Sequence, residues 1–203
     1  HDPSGTEIDK PLIVFAGRSN VGKSSTIRAL TGMRVRVGKR PGSTRWERFL
    51  DLGSVLLVDT PGFGHMAGMS KKAIDQMKTH VIQSIEAWSP HIALSLLIVD
   101  VSLFRRLADR WERRGEIPID LEFYEFLCEV SPEVIVVANK VDKLRRHLRD
   151  EELSYLRTRL LQTVPARPLN LIAISAYRRT GIGDLANAIR SALLRQCIPP
   201  PEW

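Results

Sequence analysis

Leu12-Ile13-Val14-Phe15-Ala16, followed at once by Gly17-Arg18-Ser19-Asn20-Val21-Gly22-Lys23-Ser24, is the stretch on which the fold turns. The pattern Gly-x4-Gly-Lys-Ser after a short apolar run is a phosphate-binding loop leaving a buried strand. Glycine is required where backbone approaches phosphate closely, so that successive N–H groups point at the α- and β-phosphates. Lys23 is expected to reach the β- and γ-phosphates, and the Ser24 hydroxyl to ligate Mg²⁺. Ser25 to Leu30 reads as a helix whose positive dipole end faces the same anion. Arg18, Ser19, Asn20, Val21 and Ser25 complete the set expected to line the nucleotide from this side. The competing reading, a Gly-rich turn without a ligand, fits poorly with a strand before and a helix after. The loop alone leaves kinases, ATPases and GTPases open.

The base is read elsewhere. Asn139-Lys140-Val141-Asp142 follows the apolar run Val134 to Ala138, so it lies at the carboxyl end of a buried strand, where open α/β sheets bind ligands. Asp142 is an acceptor-only carboxylate, matched to the N1–H and N2 amino donors of guanine. Adenine has an acceptor at N1 and no amino group at C2, and it would leave that carboxylate unpaired. Mismatched buried polar groups are costly, so such a site discriminates strongly. The Lys140 stem is expected to pack over the base, and Asn139 to tie this loop to the phosphate loop. Ser175-Ala176, after the apolar run Leu171 to Ile174, stands where backbone N–H groups would meet guanine O6.

Between these motifs lies Asp59-Thr60-Pro61-Gly62-Phe63-Gly64, ending the apolar run Val55 to Val58. Asp59 is expected to hold Mg²⁺ through a water, and the Gly62 N–H to sense the γ-phosphate. Loss of that phosphate would release the loop, the order-to-disorder switch of a nucleotide-gated protein. Upstream, Pro41-Gly42-Ser43-Thr44-Arg45 supplies Thr44 as a further Mg²⁺ ligand. Lys23, Thr44 and Gly62 are thus the residues expected to face the reacting γ-phosphate.

With these elements in this order, the chain resembles the translation-factor-class GTPases, and specifically the EngB (YihA) family of ribosome-assembly GTPases. The residues that carry the resemblance are Gly17 to Ser25, Pro41 to Arg45, Asp59 to Gly64 and Asn139 to Lys143, with Thr180-Gly181-Ile182 just past Ser175-Ala176. It spans about Lys10 to Gln196. Bacterial members usually read Asp-Leu-Pro-Gly-Tyr-Gly and Thr-Lys-x-Asp, whereas this chain has Thr60, Phe63 and Asn139, and Gly115 to Asp120 resembles an archaeal branch. The resemblance implies GTP and GDP as ligands, hydrolysis to GDP and phosphate, and a role in assembly of the large ribosomal subunit through rRNA. Many GTPases place a water-orienting glutamine after the Asp-x-x-Gly glycine, and Phe63 cannot act so. Related GTPases with asparagine at the position of Asn20 use it to help bind K⁺ against the phosphates, which implies slow intrinsic hydrolysis raised by K⁺ and by a ribosomal partner.

At 203 residues the chain suits one GTPase domain over 10–197, with a flexible segment over 1–9, which begins at His1 and reads as a processing remnant, and an extended tail over 198–203. No apolar run reaches the roughly 20 residues of a membrane span, and the polar amino end lacks a signal-peptide pattern. Cys128 and Cys197 alone make a disulfide framework unexpected and point to a reducing, cytoplasmic setting. A monomer is expected.

Apolar runs at 10–16, 46–52, 54–59, 91–100, 133–139 and 169–174 alternate with helical patterns. This predicts a three-layer α/β fold, the P-loop GTPase fold, with a six-stranded, mostly parallel sheet, helices on both faces and one antiparallel edge strand. Only Leu52-Gly53-Ser54 separates the second strand from the third, too short for a crossover, so these two form the antiparallel pair. Ile74, Met77, Val81, Ile85 and Trp88, and likewise Leu185, Ala188, Ile189, Ala192 and Leu193, recur at helical spacing as core faces. Arg105 to Asp120 reads as a basic, Pro-interrupted insertion.

The net charge of +7 is uneven. Arg28 to Arg48 holds seven basic residues against Glu47, Arg105 to Arg114 forms a second cluster, and Lys143 to Arg149 a third. Such clusters favour RNA phosphate by counterion release, with Trp46 and Trp111 available to stack if exposed. His65 reads as a surface-loop residue. The competing function is a GTP-gated module that docks a protein, such as a membrane transporter or a tRNA-modifying enzyme, without touching RNA.

Overall fold

The computed structural model describes residues 8–32, 47–63 and 70–203. Thr44 and its neighbours, Trp46, Gly64, His65 and residues 1–7 lie outside the described residues. Six strands form one sheet: β1 (Leu12–Gly17), β2 (Arg48–Asp51), β3 (Leu56–Asp59), β4 (Ile92–Asp100), β5 (Val134–Asn139) and β6 (Asn170–Ala173). Their spatial order is β2-β3-β1-β4-β5-β6, and every pairing is parallel except that of β2 with β3 at the edge. The α-helices among the described residues are α1 (Lys23–Thr31), α2 (Lys71–Trp88), α3 (Val101–Glu112), α4 (Ile119–Val130), α5 (Arg149–Thr163) and α6 (Ile182–Arg195).

Period-two alternation sorts the central strands into two cores. Leu12, Val14 and Ala16 of β1 join Leu97 and Val99 of β4 on the side covered by α2 through α5, where Val81, Ile85 and Trp88 of α2 pack. Ile13 and Phe15 join Leu94, Leu96 and Ile98 on the other side, against Ile27 of α1 and Leu185, Ile189 and Leu193 of α6. Both faces being covered explains why β1, β4 and β5 are buried at every position and read as continuous apolar runs. Each buried Val, Leu, Ile or Phe among them contributes roughly 1.5–3 kcal/mol of burial. The result is a rigid sheet whose carboxyl ends point one way, and the candidate residues gather there.

Two peripheral segments take a definite form. Arg105 to Asp120, expected as a basic, Pro-interrupted insertion, is largely helical: Arg105 to Glu112 belongs to α3, Asp120 to α4, and residues 113–118 connect them. Gly115 at φ +71° and Pro118 before the first turn of α4 shape that connector. Arg105 is spent inside the protein, pairing with Glu151 and Glu152 while its guanidinium lies 4.2 Å from the centre of the Tyr155 ring. The tail over 198–203 carries no regular structure, as its prolines dictate, yet it does not stand away from the protein: Pro201 is buried, and Ile198 and Trp203 pack against the α1/α6 core.

Candidate functional site

The loop from Gly17 to Gly22 joins β1 to α1, and its shape depends on small or left-handed residues. Gly22 adopts φ +96°, and a Cβ there would lie 2.3 Å from Asn139 Nδ2. Asn20 is also left-handed, at φ +65°, a conformation asparagine tolerates better than most residues. The first turn of α1 contains no acidic residue and receives no side-chain cap, so its N–H groups remain available to an anion.

Lys23 and Asp59 face each other in the interior, Nζ to Oδ1 at 2.9 Å, both largely buried. Ser24 Oγ donates to Asp59 Oδ2 at 3.1 Å. Asp59 Oδ1, although beside the ammonium, accepts no well-directed hydrogen bond. A buried, under-bonded carboxylate oxygen next to a hydroxyl is an oxygen-only donor set that suits a hard divalent cation such as Mg²⁺. Among the described residues no group of three His, Cys, Asp or Glu side chains is placed to hold a metal ion.

The Asp59–Phe63 segment is laced to the loop by backbone. Thr60 donates its hydroxyl to Phe15 O at 2.9 Å, Ser19 N donates to Phe63 O at 2.9 Å, and Phe63 N to Gly17 O at 3.4 Å. Gly62 passes so close that a Cβ would sit 2.8 Å from Ser19 Cα. The Phe63 ring points away from the loop into the core and stacks on Phe123 of α4, centroids 3.6 Å apart.

The second half of the site lies at the ends of β5 and β6. Asn139 Nδ2 donates to Val21 O at 2.9 Å while its Oδ1 accepts from Ala176 N at 3.0 Å, joining three loops. Lys140, left-handed at φ +69°, sends its ammonium to Asp100 Oδ2 at 2.7 Å and to Asn20 O. Ser175 Oγ donates to Asp142 Oδ1 and accepts from Arg178 N at 3.0 Å. Between them opens a cavity of about 550 Å³, lined among others by Gly22, Ser25, Lys140, Asp142 and Ala176, a size suited to a small polar ligand.

Asp100, Arg18's partner Asp120 and Arg179 were not singled out from the sequence. Asp100 ends β4, caps α3 through Ser102 N at 3.1 Å and holds Lys140. Its place closing an apolar run, like Asp59 and Asn139, is a signal that would have found it. Arg179 donates to Ala29 O at 3.1 Å and lines the cavity, with no local pattern to announce it.

A doubly covered, mostly parallel sheet with a phosphate loop after β1 and Asn-Lys-x-Asp after β5 is the fold of the P-loop GTPases. Residues 12–140 match the family model described as 50S ribosome-binding GTPase. The chain belongs to the EngB family of GTP-binding proteins. It is 40% identical over 194 residues to the probable GTP-binding protein EngB of Methanopyrus kandleri, covering 93% of this chain and 95% of that one. It is 44% identical over 132 residues to its counterpart in Archaeoglobus fulgidus, covering 65% and 67% respectively. A crystal structure of a probable GTP-binding protein EngB superposes with a TM-score of 0.78 at 38% identity, covering 91% of this chain and 99% of that one. Methanopyrus kandleri and Archaeoglobus fulgidus are archaea, the branch that Gly115 to Asp120 resembles. A Sulfolobus solfataricus GTP-binding protein in complex with GDP shares the fold at a TM-score of 0.60 and 21% identity, over 92% of this chain and 53% of that one.

Proposed function

We propose that this protein hydrolyses GTP to GDP and phosphate and acts in the cytoplasm as a nucleotide-controlled switch in assembly of the large ribosomal subunit, through contact with rRNA. What carries the reading is the convergence on one rim of two chemically distinct halves: a cation-ready phosphate end at Lys23, Ser24 and Asp59, and a base end at Asn139, Asp142 and Ser175. In this reading the N–H groups from Gly17 to Ser25 cradle the phosphates, Lys23 neutralises the β- and γ-oxygens, and Asp142 accepts from guanine. Ser175 and Ala176 border O6. Thr44 and Gly62 engage the γ-phosphate end. Mg²⁺ held by Ser24, Thr44 and Asp59 would supply charge neutralisation across the β- and γ-phosphates.

With Phe63 turned into the core, the side chain that directly follows Gly62 does not orient water. Asn20 is exposed at the loop's outer edge, and it is the residue we assign to K⁺, whose charge would act as an arginine finger does. Turnover measured in matched KCl and NaCl is expected to be several-fold higher in K⁺, and Asn20→Ala to erase the difference. Equal rates in the two salts for the unaltered protein remove K⁺ from the mechanism.

For RNA, Lys143, Arg145 and Arg146 are exposed beside the base cavity, and Tyr177, 81% exposed with Arg178 at its ring, is the aromatic best presented there. Trp111 is half-buried and less suited to stacking. Cosedimentation with ribosomal subunits is expected with a GTP analogue and to weaken with GDP. A protein that stays in the supernatant in every nucleotide state at low salt is instead a GTP-gated protein-docking module.

A further inference from the structure

Asp120 and Phe123 lie one turn apart on α4, and both reach toward the nucleotide side. Asp120 Oδ2 accepts from Arg18 Nη1 at 3.5 Å, and Phe123 stacks on Phe63 with ring planes 13° apart. Arg18 and Phe63 are themselves bridged backbone to backbone. A single helical turn therefore grips the phosphate loop by one side chain and the Gly62–Phe63 segment by another.

Asp120 is an expensive residue to keep there. It is 5% exposed, and its Oδ1 accepts no hydrogen bond. Burial pushes its carboxyl up to about 6, against the pull of Arg18, and the Asp100 carboxylate pushes it further up. Asp100 is in turn neutralised by Lys140. An apolar side chain of similar volume would pack at lower cost, so stability does not account for this carboxylate, whereas its hold on Arg18 does.

We propose that Asp120 is a positioning residue for the phosphate loop, and that with Phe123 it makes the first turn of α4 a clamp on Arg18 and the Gly62–Phe63 segment that sets how fast guanine nucleotide leaves. The inference rests on the GTP-binding reading above. Breaking either grip leaves the loop and the segment held by their backbone bonds alone, which loosens the phosphate end without altering a side chain that contacts phosphate. Protonation of Asp120 breaks the first grip, and the groups facing it are Arg18 from the loop and Asp100 from β4.

The test is release of a fluorescent GDP analogue from the full chain, chased with excess GDP in Mg²⁺ and followed from pH 5 to 8. Asp120→Asn and Phe123→Leu are each expected to speed release at pH 7.5 at least threefold. In the unaltered protein, release should quicken as pH falls through about 6, a limb that Asp120→Asn lacks. The Asn variant should also melt higher than the unaltered protein at pH 8, because a carboxyl whose folded-state value is raised destabilises the fold above that value, and the gain should vanish toward pH 4. A purely structural contact would not couple a higher melting point to faster release. Release changed less than threefold, or parallel pH profiles, overturns the clamp. If Asp120→Asn does not fold, Phe123→Leu decides by the same threefold criterion. Failure of the unaltered protein to bind the analogue at all sinks the GTP-binding reading instead.

Discussion

Lys23→Ala is expected to abolish tight binding of guanine nucleotide, with affinity by calorimetry falling at least about 100-fold. Two losses combine. The charge-assisted bonds to phosphate disappear, and Asp59 is left buried without its counter-ion where further negative charge must enter. Breaking a buried pair costs about 3–5 kcal/mol, enough for that factor and enough to lower the melting point. A melt of the ligand-free variant therefore accompanies the titration: a folded variant that still binds GDP within tenfold of the unaltered protein would show that the phosphates sit elsewhere.

Asp142→Asn should exchange the base preference. Ser175 Oγ donates to Oδ1, and in the variant the amide oxygen keeps that bond while the amide nitrogen turns to the base. A donor then meets the donors of guanine, whereas xanthine offers an acceptor at C2. GTP affinity is expected to fall about 100-fold and that of xanthosine triphosphate to rise, in line with the discrimination that buried polar mismatches impose. Competition of both nucleotides against the fluorescent GDP analogue reads this out. Unchanged GTP affinity would mean that the cavity beside Asp142 is not the base site.

The sheet and the residues at its carboxyl ends were legible because their chemistry is local. A glycine that must pass Asn139, a lysine at the start of a helix and a two-sided apolar strand each leave a short-range mark. The β2–β3 hairpin was legible from Leu52-Gly53-Ser54 alone, since three residues cannot cross a sheet. α3 is harder to read, because exposed arginines interrupt the stripe of Val101, Phe104 and Ala108 that it carries into the core. The Arg18–Asp120 and Arg179–Ala29 contacts join residues more than a hundred positions apart, and no local pattern encodes them. The docked tail is of the same kind: a proline run announces the end of a helix but not the surface on which Pro201 comes to rest.

The Lys23–Asp59 pair makes the phosphate end a self-plugged socket. Its buried lysine is already occupied by a carboxylate tethered to the same scaffold, which competes at high effective concentration with any free anion. Inorganic phosphate or sulfate, arriving without a metal, must expel that carboxylate and leave it stranded. On the proposed reading, a nucleotide that brings its own divalent ion would offer Asp59 a new partner as it takes Lys23 away, and the plug would favour metal-bearing polyphosphates over the simple anions that surround them.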